Sequence, residues 1–98
     1  MKAEFKTLKE IIEECGFPKD TQFLGYVIHL PETDEFLAQF KKIHHDGSNI
    51  KMWSKTPGIS KKYMSLKRAF KDVKKLKKNV EICALLDTGD AYISQPIT

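Results

Sequence analysis

The stretch Ser60–Lys78, SKKYMSLKRAFKDVKKLKK, decides the fold class. Its apolar residues Tyr63, Leu66, Phe70, Val73 and Leu76 recur every three to four positions, which predicts a helix with Ser60 as its N-cap. At 100° per residue, Lys61, Arg68, Lys71 and Lys75 fall on the opposite side, and Lys67, Lys74 and Lys78 on its flank. A helix of nearly twenty residues with a core stripe and a basic face rules out an all-β chain.

Working outward, the period changes to two. On the N-terminal side, IKMWSK (Ile50–Lys55) alternates Ile50, Met52 and Ser54 against Lys51, Trp53 and Lys55, and Pro57-Gly58 ends it. Before it, QFLGYVIHL (Gln22–Leu30) and EFLAQFKKI (Glu35–Ile43) read as strands joined by the turn Pro31-Glu32-Thr33-Asp34, and His45–Asn49 is a second turn. On the C-terminal side, Val80–Leu86 is an apolar strand, and Asp87-Thr88-Gly89-Asp90 joins it to Ala91–Ser94 as a hairpin. A further helix over roughly 3–15 follows from Phe5, Leu8, Ile11, Ile12 and Cys15, with an acidic outer face and a stop at Gly16 and Pro18. The expected fold is α+β in the order α-β-β-β-α-β-β, with an antiparallel sheet of four to five strands and two helices over one face. At 98 residues and 41% hydrophobic content, the chain is expected to form one compact domain, 1–98. With no long apolar run it reads as soluble and cytoplasmic, without a membrane partner.

The hairpin region, CALLDTGDAYIS (Cys83–Ser94), invites a catalytic reading. ALLDTG (Ala84–Gly89) resembles the active-site loop of the retroviral aspartic proteases, which implies a homodimer in which each subunit lends one Asp. In that family the motif lies early and is followed by a glycine-rich flap and a second half. Here nine residues follow Gly89 and a Lys-rich helix precedes it. The same letters read as the end of a buried strand entering a turn, because Asp and Gly are favoured turn residues. The protease is kept as an alternative only.

Other chemistry is sparse. His29, His44 and His45 are the side chains suited to proton transfer near neutral pH. Adjacent strand residues point to opposite faces, so His44 and His45 do not enter one site without a bend. Cys15 and Cys83 stand in apolar settings without ligand spacing and read as buried free thiols. No phosphate-cradling glycine loop, H-E-x-x-H or G-x-S-x-G occurs. The reading therefore assigns no catalytic residue, metal or cofactor.

Charge is uneven. Thirteen Lys or Arg lie between Lys41 and Lys78 against Asp46 and Asp72, whereas the rest of the chain holds four Lys and eleven acids. Clustered positive charge captures phosphates, and a neighbouring aromatic can stack an unpaired base. The expected nucleic-acid-binding residues are Lys51, Trp53, Lys55, Lys61, Lys67, Arg68, Lys71, Lys74, Lys75 and Lys78. A single Arg and little Asn or Gln on the helix favour RNA or single-stranded nucleic acid over base reading in a DNA groove. A Lys-rich helix face is also an ordinary solvated surface, and alternation leaves open whether Trp53 faces the core.

Finally, Trp53-Ser54-Lys55-x-Pro57, Lys62-Tyr63-x-Ser65-x-x-x-Ala69 and the strand Val80-Glu81-Ile82 resemble the short accessory proteins that phages encode to blunt host defences. The resemblance spans about residues 24–86 and implies a non-enzymatic inhibitor. Some such proteins bind RNA and counter toxin–antitoxin systems, and others bind defence nucleases directly. The expected function is accordingly an RNA-binding module. The alternative is a protein-binding inhibitor that meets a host protein, or a second copy of the chain, through the acidic first helix or a sheet edge.

Overall fold

The computed structural model describes residues 10, 13–14, 16–18, 20–42, 49–76 and 78–97. Five strands form one antiparallel sheet: β1 Gln22–Leu30, β2 Glu35–Lys42, β3 Asn49–Ser54, β4 Glu81–Asp87 and β5 Tyr92–Pro96. Their spatial order is β3-β2-β1-β4-β5. β1 and β4, the most apolar strands, lie at the centre and pair from Gln22↔Asp87 to His29↔Glu81, with an irregularity between Phe23 and Gly25. A 3-10 turn, Pro57–Ile59, and one helix, α1 Leu66–Leu76, complete the described elements.

Two expectations are corrected. The order with two helices gives way, among the described residues, to three strands, a 3-10 turn, one α-helix and two strands. Of the helix expected over 3–15, only Glu10, Glu13 and Glu14 are described, with helical backbone, and the rest lies outside the described residues. The second correction is that α1 begins at Leu66 and not after Ser60. Ser60 follows the 3-10 turn, and its hydroxyl donates to the Pro57 carbonyl at 2.5 Å. Residues 61–63 are held extended by the sheet, so the first helical hydrogen bond runs from Ala69 N to Ser65 O at 3.2 Å.

The reason for that delay is a fork in the sheet. β1 and β2 are in register only at His29↔Phe36 and Leu30↔Glu35, beside their turn. Where the two strands part, the segment 60–65 enters. Lys61 N donates to Leu37 O at 2.8 Å, and Tyr63 exchanges two hydrogen bonds with Tyr26, at 2.7 and 2.8 Å. The Tyr26 amide and carbonyl on the open edge of β1 are thereby satisfied.

Alternation along the central strands sends side chains to two buried faces. Ile28 and Ile82 join Leu37, Tyr63, Ala69 and Leu76 in a cluster that α1 covers, with Trp53, Phe70 and Val73 packed against it. Val27, Cys83, Leu85 and Phe36 form a second cluster on the other face. No described helix is long and apolar enough to cross a membrane.

Candidate nucleic-acid interface

The segment that fills the fork also forms one wall of a cleft of about 850 Å3. Lys61, Lys62, Tyr63, Met64 and Ser65 come from that wall, and Arg68, Lys71, Asp72 and Lys75 from one side of α1. Residues three and four apart share a helix face, so Arg68, Lys71, Asp72 and Lys75 project together. Among the described residues, five cations thus share the cleft with one carboxylate.

Gly25 allows the wall to lie where it does. Its φ is +142°, and a Cβ there would stand 3.1 Å from Lys62 Cβ, 3.3 Å from Tyr63 O and 3.5 Å from Met64 Sδ. A Cβ at this position would press the segment back from β1 by a few tenths of an ångström, quite apart from the backbone strain.

Asp72 ties the two walls together. The Tyr63 hydroxyl donates to Asp72 Oδ2 in a short hydrogen bond. Lys61 Nζ lies 3.7 Å from the same oxygen and 5.2 Å from the centre of the Tyr63 ring. Burial pushes the Tyr63 phenol far above its ordinary pKa, and the bond to Asp72 adds to this, so the group stays protonated as a donor. Lys62 donates to Gly58 O at 2.8 Å and Ser60 O at 3.2 Å, which fixes its ammonium at the rim. Arg68, Lys71 and Lys75 form no ion pair with a described residue and are exposed.

Of the residues expected from sequence, Lys61, Arg68, Lys71 and Lys75 meet in the cleft. Lys61 reaches it from the extended segment and not from the helix face. Lys67 and Lys74 are exposed on α1 but do not line the cleft. A second group gathers on β3. Trp53 is half-buried against the core cluster under α1, Lys78 Nζ lies 5.6 Å from its ring centre, and Lys51 and Lys55 are exposed beside it. His44 and His45 lie outside the described residues. Sequence reasoning missed Asp72 as a cleft residue, and the role of Lys62, Tyr63 and Ser65 in the wall. A lone acid inside a Lys-rich stripe was the available signal.

The histidine on β1 has a setting of its own. His29 Nδ1 lies 2.9 Å from Glu81 Oε2 and Nε2 lies 2.8 Å from Asp34 Oδ1, while its ring packs on Phe36 with centres 4.7 Å apart. Burial pulls its pKa down, but hydrogen bonds and charge from Asp34 and Glu81 outweigh this and leave it above the ordinary value. Cys83 Sγ lies 3.6 Å from Glu81 Oε2. Burial, helped by the Glu81 charge, pushes its thiol up to about 12. The DTG letters form the β4–β5 loop, where Asp87 Oδ1 accepts from Gly89 N at 2.8 Å.

Comparison with known proteins returns no match among family models, curated proteins or solved structures.

Proposed function

We propose that the protein is a non-enzymatic binding module whose cleft between segment 60–65 and α1 holds the phosphate backbone of RNA or single-stranded nucleic acid. The observation that carries this reading is the convergence of Lys61, Lys62, Arg68, Lys71 and Lys75 on one concavity, with Asp72 as the single acid among the described residues that line it. In a concave site, like charges reinforce one another and the displacement of condensed counterions drives association. Arg68 supplies the planar fork that grips two phosphate oxygens, and the lysines act as point charges without sequence preference. Lys51, Lys55 and Lys78 around the half-buried Trp53 add a second patch of positive charge outside the cleft for further phosphates. Taken with the resemblance of residues 24–86 to phage accessory proteins, the module reads as an inhibitor of a host defence or toxin system.

A second reading has its own observation. β3 is an edge strand, and Ile50 and Met52 on it are 47% and 54% exposed. Such an edge accepts a protein partner by strand addition. Ionic strength separates the two readings. In fluorescence anisotropy with a labelled single-stranded RNA, about four phosphate contacts predict a slope near −3 for log K against log salt. Absence of RNA binding at low salt would reject the cleft reading.

A further inference from the structure

We infer that His29, Glu81 and Cys83 form a binding site for a borderline-soft divalent cation of the zinc type, on the face of the sheet opposite the basic cleft. The inference is independent of the nucleic-acid reading and rests on different residues.

Register brings the three donors together. His29 and Glu81 are direct partners across β1 and β4, and Cys83, partner of Val27, stands two residues on along the same face. Nδ1, Oε2 and Sγ all lie within 4.8 Å of one another. Zinc bond lengths of about 2.0–2.3 Å to N, O and S place tetrahedral ligand atoms roughly 3.3–3.8 Å apart. The 3.6 Å between Sγ and Oε2 already fits. The 2.9 Å between Nδ1 and Oε2 needs a small opening.

The hydrogen bonding around His29 points the same way. A neutral imidazole has one N–H. With that proton given to Asp34, the Nδ1 lone pair faces Glu81 Oε2 at 2.9 Å, an arrangement that a cation held between the two atoms would satisfy. The third group within reach is a thiol, which selects zinc-type ions over magnesium or calcium. Asp34, at the turn with φ 55°, then acts as the outer carboxylate that fixes the ring and its tautomer.

Access and surroundings suit a metal. Cys83 is fully buried among Val27, Leu85 and Phe36, while the Asp34 side chain is 86% and that of Glu81 28% exposed, so the site opens on the turn side. Binding replaces the thiol proton and any proton shared by His29 and Glu81 with the metal, and those protons pass to solvent. Three protein ligands leave the fourth position to water or another donor.

The test uses the full chain, freed of metal by chelation and titrated with Co2+ as the spectroscopic probe. One equivalent should produce a thiolate-to-cobalt charge-transfer band together with tetrahedral d–d bands, and Zn2+ should displace it. Cys83→Ser should abolish the charge-transfer band with Cys15 still present, and Asp34→Asn should weaken binding by about ten- to a hundredfold. Absence of the band in the unaltered protein, or its survival in Cys83→Ser, overturns the site. Should Cys83→Ser fail to fold, His29→Gln decides instead: unchanged cobalt affinity in that variant overturns the site equally.

Discussion

The basic cleft and the His29–Glu81–Cys83 cluster lie on opposite faces of the same central strands and use charge in opposite ways. Among the described residues of the cleft, five cations face one acid and only Lys61 is ion-paired, so the other four leave the surface with unspent attraction for an anion. In the cluster, Asp34 and Glu81 hold the imidazole from its two nitrogens and Glu81 also takes the thiol, so the same sheet holds an excess of acceptors that attracts a cation. What separates them is burial: an exposed, uncompensated charge keeps its solvent and is available for binding, whereas a buried one must be matched where it stands.

The largest effect should come from reversing the cleft's charge. Lys71→Glu with Lys75→Glu is expected to weaken single-stranded RNA binding by about a hundredfold at low salt and to flatten the salt slope by roughly one per lysine. Both side chains are exposed, so the thermal melt should stay nearly unchanged. Equal loss of Tm and affinity would place these lysines in the fold and not in a binding surface.

Next is the wall. Gly25→Ala should destabilise the protein by about 1–3 kcal/mol through its positive φ and the approach of Lys62 and Tyr63. RNA affinity should drop with it, measured at a temperature where the variant is folded. A stable variant with intact binding would show that the wall does not shape the cleft. Tyr63→Phe leaves the partly buried Asp72 with Lys61 alone and should cost about 1 kcal/mol in urea denaturation.

The other face is sharpened by pH. His29 titrates above its ordinary value of 6.5 when folded. The stability it contributes in the metal-free protein is therefore fully present below about 6.5 and is lost as pH rises through the folded value. Urea melts of the chelator-treated protein between roughly pH 5.5 and 8.5 should show this decline, and His29→Gln should remove it. A carboxylate belonging to neither region supplies the smallest effect. Asp87→Asn keeps an oxygen for Gly89 N, so stability should move by less than about 0.5 kcal/mol. Any proteolytic activity lost on that change would restore the protease reading of the DTG letters.

Much of this was legible locally. Gln22–Leu30 is a strand with the bounds its composition suggests, and Pro31–Asp34 and the loop after Asp87 are the turns that Pro, Asp and Gly favour. The stripe Leu66, Phe70, Val73 and Leu76 packs inward, and Arg68, Lys71 and Lys75 line the cleft. Residues 60–65 were misread because helical spacing at Tyr63 is overruled by its two hydrogen bonds to Tyr26, a partner 37 residues away in the chain.

By itself, then, the sequence determined periodicity, turn chemistry and the sign of the helix's outer face, since each depends on neighbours within a few residues. Tertiary structure alone decided that β1 and β2 part, that segment 60–65 closes the gap and forms a cleft wall, and that His29 stands across from Glu81, 52 residues on. Strand register and fork geometry follow from long-range pairing and from satisfying every buried backbone group at once, and neither is encoded in any short window of residues.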